Sequence, residues 1–62
     1  MNEIFIHKDI FKGNPQDFRR PVRSILTLFP YKAYATDEEL FLLKLKYNVR
    51  NIIGKWWIGY HE

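Results

Sequence analysis

Apolar residues recur along this chain in runs of two different periods, and those runs divide it. Glu3-Ile4-Phe5-Ile6-His7 is β-branched and aromatic. Alternation puts Ile4 and Ile6 on one face and Phe5 and His7 on the other, which predicts a strand. Gly13-Asn14-Pro15 is turn chemistry, and residues 13–21 suit a polar connector. Val22, Ile25, Leu26 and Phe29 match the helical spacing i, i+3, i+4, i+7. Yet Ile25-Leu26-Thr27-Leu28-Phe29 also fits a short buried strand stopped by Pro30. A helix confined between Pro21 and Pro30 would be marginal, so the strand is the preferred reading.

Residues 36–49 carry the same conflict. Thr36 followed by Glu39 is a capping-box pattern, and Asp37, Glu38 and Glu39 suit a helix N-terminus. Against that, Phe41, Leu43, Leu45, Tyr47 and Val49 alternate strictly with Leu42, Lys44, Lys46, Asn48 and Arg50. Period 2 over ten residues, with one face wholly apolar, predicts a strand. A helix near 37–47 is the alternative. Ile52-Ile53, Gly54-Lys55 and Trp56-Trp57-Ile58-Gly59-Tyr60 then read as strand, turn, strand. Trp56, Ile58 and Tyr60 share one face of that last strand; Trp57, Gly59 and His61 share the other.

Sixty-two residues make a single domain, 1–62, near the lower limit for independent folding. Apolar residues are 47% of the chain, enough for a packed core and against disorder. There is no cysteine, which excludes disulfides and thiolate metal sites and fits a reducing compartment. No apolar run approaches membrane-spanning length and no signal-peptide pattern opens the chain, so a soluble cytoplasmic protein is expected. The formal charge is +3. All of the excess sits in residues 1–35, thickest at Arg19-Arg20-Pro21-Val22-Arg23. Such an excess is usually a solvated surface, and it also suits an acidic partner.

Candidate chemistry is thin. Ser24 is the sole serine, and His7 and His61 are the sole histidines, with no spacing that supports a nucleophilic triad. His7 and Asp9 would share a strand face, a pairing common on surfaces. Two histidines and scattered carboxylates do not make a metal site, and no glycine loop cradles a phosphate. The expectation is therefore no enzyme, no metal and no cofactor.

Two binding readings are better supplied. Small basic β-proteins stack bases on exposed aromatics and track the backbone with Lys and Arg. Trp57, Tyr60, Tyr31 and Tyr34 with Arg19, Arg20, Arg23, Lys32 and Lys55 would serve that purpose. Alternatively, aromatic-lined grooves capture proline-rich segments, with nearby acids choosing basic ligands. Phe29, Tyr31 and Tyr34, then Asp37-Glu38-Glu39, then a Trp one strand later is that inventory.

The second inventory carries a resemblance. Leu28-Phe29-Pro30-Tyr31-Lys32-Ala33 resembles the aromatic-tyrosine signature that opens SH3 domains. Asp37-Glu38-Glu39-Leu40 resembles the acidic loop and Glu-Leu strand that follow it, and Trp56-Trp57-Ile58-Gly59 resembles the Trp-Trp-x-Gly strand. The family's Lys-x-Gly-Asp turn is replaced by Leu43-Lys44-Leu45-Lys46, and its final strands do not follow the tryptophans. Ile4 to Ile10 is a distant echo of those strands, which suggests a circularly permuted domain joined through residues 12–23, with residues 3–8 pairing with 56–61. The resemblance implies an all-β, SH3-like five-stranded barrel; the alternative fold is α+β, a small antiparallel sheet with one helix near 37–47. It further implies a ligand groove of Phe29, Tyr31 and Trp56, with Asp37 and Glu38 selecting a basic residue and Trp57 packing against the barrel or lining its flank.

The leading functional expectation is thus a non-enzymatic module that binds an extended or proline-rich segment of a partner protein, as a monomer or weak dimer. The alternatives are a small basic nucleic-acid-binding protein and a compact, for instance virus-encoded, inhibitor docking on a host protein.

Overall fold

The computed structural model describes residues 1–59. Five strands form one open mixed sheet, and two helices pack against its inner face. The elements run β1 (Asn2–Ile6), α1 (Lys8–Gly13), a single 3-10 turn (Pro15–Asp17), β2 (Val22–Arg23), β3 (Tyr31–Ala35), α2 (Asp37–Lys46), β4 (Val49–Ile52) and β5 (Lys55–Ile58). In space the strands lie in the order β2-β3-β1-β5-β4. β1 is central, antiparallel to β3 and parallel to β5. α2 therefore carries the chain from β3 to β4 across β1 and β5, and this crossover covers the inner face.

The register assigns every strand residue to a face. Ile4 pairs with Ala33 and Trp56, and Ile6 pairs with Tyr31 and Ile58. These side chains point inward, where Leu40 and Leu43 of α2 and Phe18 meet them. Ile4, Ile6 and Ile58 are almost wholly buried. Beside this core, Tyr31 stacks on Phe11 at 4.0 Å between ring centroids, Phe11 on Phe18 at 6.2 Å, and Phe18 on Tyr47 at 6.1 Å. That file of four rings fastens α1 and the connector to the inner face.

A closed all-β barrel is not what forms, and residues 37–46 account for the difference. They are a helix. Thr36 accepts from the Glu39 amide at 3.1 Å, and Glu39 accepts from the Thr36 amide at 2.9 Å, completing the capping box. Three acids in the first turn and Lys44 and Lys46 in the last suit the helix dipole. The alternation that predicted a strand is a coincidence of a helix with apolar residues on two sides: Leu40 and Leu43 turn inward, while Phe41, Leu42 and Leu45 face solvent. The α+β alternative gives the class, except that the sheet is mixed rather than antiparallel.

The strand expected over 22–29 stops at Arg23. Ser24 still donates to the Pro30 carbonyl at 2.7 Å, but proline has no N–H to return the bond, so the ladder ends. The Ser24 hydroxyl instead accepts from the Leu26 amide at 3.2 Å, which turns the chain into a loop. Of the pairing expected between residues 3–8 and 56–61, Ile4 to Ile6 pair with Trp56 to Ile58 as β1 with β5, and residues 60 and 61 lie outside the described residues. Its sense is parallel, whereas strands joined by a hairpin are antiparallel. α1 had no forecast; His7 caps it, its Nδ1 accepting from the Asp9 amide at 3.2 Å. The β4–β5 turn falls on Ile53-Gly54, both with positive φ (55° and 71°), as a two-residue hairpin turn requires.

Candidate functional site

The outer face of the sheet carries no helix among the described residues. Strand alternation places Val22, Lys32, Tyr34, Glu3, Phe5, Lys55, Trp57, Arg50 and Ile52 on it. At its centre Phe5 and Trp57 stand on neighbouring strands and stack at 4.6 Å. Phe29, delivered by the loop after β2, meets the Trp57 ring edge-on at 5.1 Å and the His7 ring at 5.4 Å. The Trp57 Nε1–H donates to the Ile52 carbonyl at 3.2 Å, so its one polar group is satisfied and a ring surface is what remains to offer. Phe5 and Phe29 are buried, Trp57 is half-buried, and Tyr34 is half exposed.

Charge on this face is mixed with a basic excess. Lys32 lies 3.7 Å from Glu3, whose carboxylate also accepts from the Tyr34 hydroxyl at 3.4 Å. The Lys55 ammonium sits 5.3 Å from the Phe5 ring centre. Arg19 and Arg20 reach the same edge and line a pocket of about 280 Å³ with Met1 and Tyr34.

Trp56 has a different setting. It faces inward beside the core, and the Lys44 ammonium of α2 caps its ring at 4.1 Å. Tyr31 also faces inward; it is stacked on Phe11, and its hydroxyl accepts from Arg23 at 3.3 Å. Asp37 and Glu38 begin α2, where they line a shallow pocket with Phe41 and Leu42. The five residues expected to share one groove are therefore divided: Phe29 on the outer side, Tyr31 and Trp56 on the inner side, and the acids on the helix. Of the expected nucleic-acid set, Lys32 and Lys55 share the outer face with Trp57 and Tyr34. Arg23 belongs with Tyr31 on the inner side. Tyr60 and His61 lie outside the described residues.

A second concavity of about 380 Å³ separates α2 from the connector. Its charged walls are already paired. Arg19 bonds Glu39 at 3.3 Å, and Lys46 bonds Asp17 at 2.8 Å. The Tyr47 hydroxyl also donates to Asp17. The Lys46 and Tyr47 hydrogen bonds hold the Asp17 carboxyl below its usual range, and the same Asp17 bond raises Lys46. Burial, then the bond to Asp17, raises the Tyr47 hydroxyl. Glu39 is held low chiefly by the Thr36 amide, with Arg19 adding to it. Each of these shifts has a structural partner that explains it, so none marks a poised acid or base.

Ser24 and His7 are spent on local structure, the one in the loop turn and the other at the α1 cap. Among the described residues no group of three or more His, Asp or Glu could hold a metal ion, and no helix is long and apolar enough to cross a membrane. The chain matches no protein-family model, no curated protein and no solved structure.

Proposed function

We propose that this protein is a non-enzymatic binding module that takes an extended segment of a partner protein across the outer face of its sheet. The single observation behind the reading is that face itself: uncovered by any helix among the described residues, and centred on the Phe5–Trp57–Phe29 cluster with half-exposed Tyr34 nearby. Aromatic clusters with part of their ring surface open to solvent are typical anchors for extended ligands. The resemblance to SH3 domains is the reason to try a proline-rich segment first. Asp37 and Glu38 belong to α2, so the charges beside the cluster are Lys32, Lys55 and Glu3; they suit a ligand with acidic flanks rather than the basic ligand that the family's acidic loop selects.

The same cations and rings support a second reading, contact with single-stranded nucleic acid. An NMR titration separates the two. Proline-rich peptides with acidic or basic flanks and a single-stranded oligonucleotide are added in turn to labelled protein. Peptide binding is expected to move the Trp57 indole N–H and the amides of β3 and β5, with shallow salt dependence. Oligonucleotide binding that weakens steeply with salt and exceeds that of every peptide would favour the second reading. Ligand-induced shifts that avoid β1, β3 and β5 would overturn both.

A further inference from the structure

α2 is apolar on two sides, and only one of them has a partner. Leu40 and Leu43 are buried against the sheet. Phe41, Leu42 and Leu45 are 61%, 62% and 71% exposed. With Glu38 these three occupy positions i, i+3, i+4 and i+7, a single stripe along the outward face of the helix. Isolated exposed apolar residues are ordinary; three large ones adjoining on one short helix form a patch of the kind that marks an interaction surface.

We propose that a second copy of the chain covers this stripe, its α2 packed antiparallel to the first about a twofold axis near Phe41 and Leu42. The argument for that occupant is charge. α2 opens with Asp37, Glu38 and Glu39 and closes with Lys44 and Lys46. A parallel pairing sets acids against acids. The antiparallel pairing sets the acidic end of each helix beside the basic end of the other, and it opposes the two helix dipoles. With the axis between positions 41 and 42, Glu38 comes level with Leu45 of the other copy and within reach of its Lys44, which would exchange its place over the Trp56 ring for that carboxylate. A twofold axis makes that contact twice, as an isologous interface must. An anionic lipid surface fits less well, because Glu38 lies in the apolar stripe itself. A helix of ten residues is about 15 Å long, so the interface is small and the dimer concentration-dependent. The stripe belongs to α2, which packs on the inner face of the sheet, whereas the Phe5–Trp57–Phe29 cluster is on the outer face, so this inference stands apart from the proposed ligand site.

Sedimentation velocity over a dilution series tests it, with circular dichroism confirming that each variant is folded. The wild-type chain is expected to pass from dimer to monomer on dilution. Leu42→Asp is expected to weaken association at least about tenfold by burying an unpaired charge. Glu38→Lys and Lys44→Glu should each weaken it by setting like charges opposite one another. The double variant, with both ends reversed, should recover to within about threefold of wild type, as restored charge complementarity requires. A chain that stays monomeric at NMR concentrations would overturn the proposal. So would a dimer that ignores Leu42→Asp, or one whose concentration-dependent NMR shifts fall on the β4 edge and spare α2. Failure of the double variant to recover would overturn the antiparallel arrangement.

Discussion

The two faces of this sheet are built from the same strands and held by different means. The inner face has an aliphatic centre, where Ile4, Ile6, Ala33, Ala35 and Ile58 meet Leu40 and Leu43 of a crossing helix, with a file of rings beside it. The outer face has no helix over it among the described residues. Its interior is a knot of rings, Phe5, Trp57 and Phe29, with long polar side chains around it. Trp56 and Trp57 show the contrast at adjacent positions. One is drawn into the helix layer and capped by Lys44; the other anchors the outer cluster. In a domain this small one helix can cover only one face, so the second must be stabilised by side chains rigid enough to pack without a backbone layer above them. Aromatic rings meet that need, and they leave contact surface for a ligand.

Breaking the inner face should cost most. Ile58→Ala removes a fully buried side chain from the middle of the core and is expected to cost about 2–5 kcal/mol in urea unfolding. That is much of what a chain of this length has, at about 0.1 kcal/mol per residue. Trp57→Ala should cost about 2–3 kcal/mol, below the full large-to-small figure because the ring is half-buried. It should also abolish binding at the outer face, whereas Trp56→Ala should lower stability and leave that binding intact. Equal loss of ligand affinity in the two folded variants would erase the distinction between the faces.

The joint between the faces comes next. Gly59 has φ +86°, and a Cβ there would lie 2.8 Å from His7 Cβ and Ile10 Cγ1. Gly59→Ala is therefore expected to cost about 1–3 kcal/mol, chiefly by pushing α1 from the end of β5. Thr36→Ala removes half of the capping box on α2 and should cost about 1 kcal/mol, seen as a lower urea midpoint.

The smallest effects are electrostatic. Asp17 and Glu39 have folded-state pKa values held below their ordinary ones. Their contribution is complete above the ordinary carboxylate range and is lost as pH falls through it to the lowered values. Lys46 and Tyr47 are raised, so theirs is complete below the ordinary values near 10 and is lost as pH climbs past them. Stability should thus sag at both extremes. Asp17→Asn should flatten both limbs, because one carboxylate serves both partners; an unchanged alkaline limb would show that the Lys46 bond contributes nothing in solution.

Local chemistry made several elements readable from the residues alone. Alternation in Ile4–Ile6 marked β1 and its two faces, Thr36 and Glu39 marked where a helix would begin, and the tryptophan pair marked a strand with one indole on each side. Local patterns could not decide whether 37–46 is helix or strand, because its apolar residues fall on two sides of a helix and also alternate as in a strand. The tertiary structure chose the helix: the inner face needed a cover, and the crossover from β3 to β4 supplies Leu40 and Leu43 to it. Nor could the sequence tell which indole faces outward, or that Phe29 and Tyr31, two residues apart, end on opposite sides of the sheet. Those outcomes depend on register, on the parallel pairing of β1 with β5, and on where Pro30 ends the β2 ladder. Contacts between distant segments fix all three.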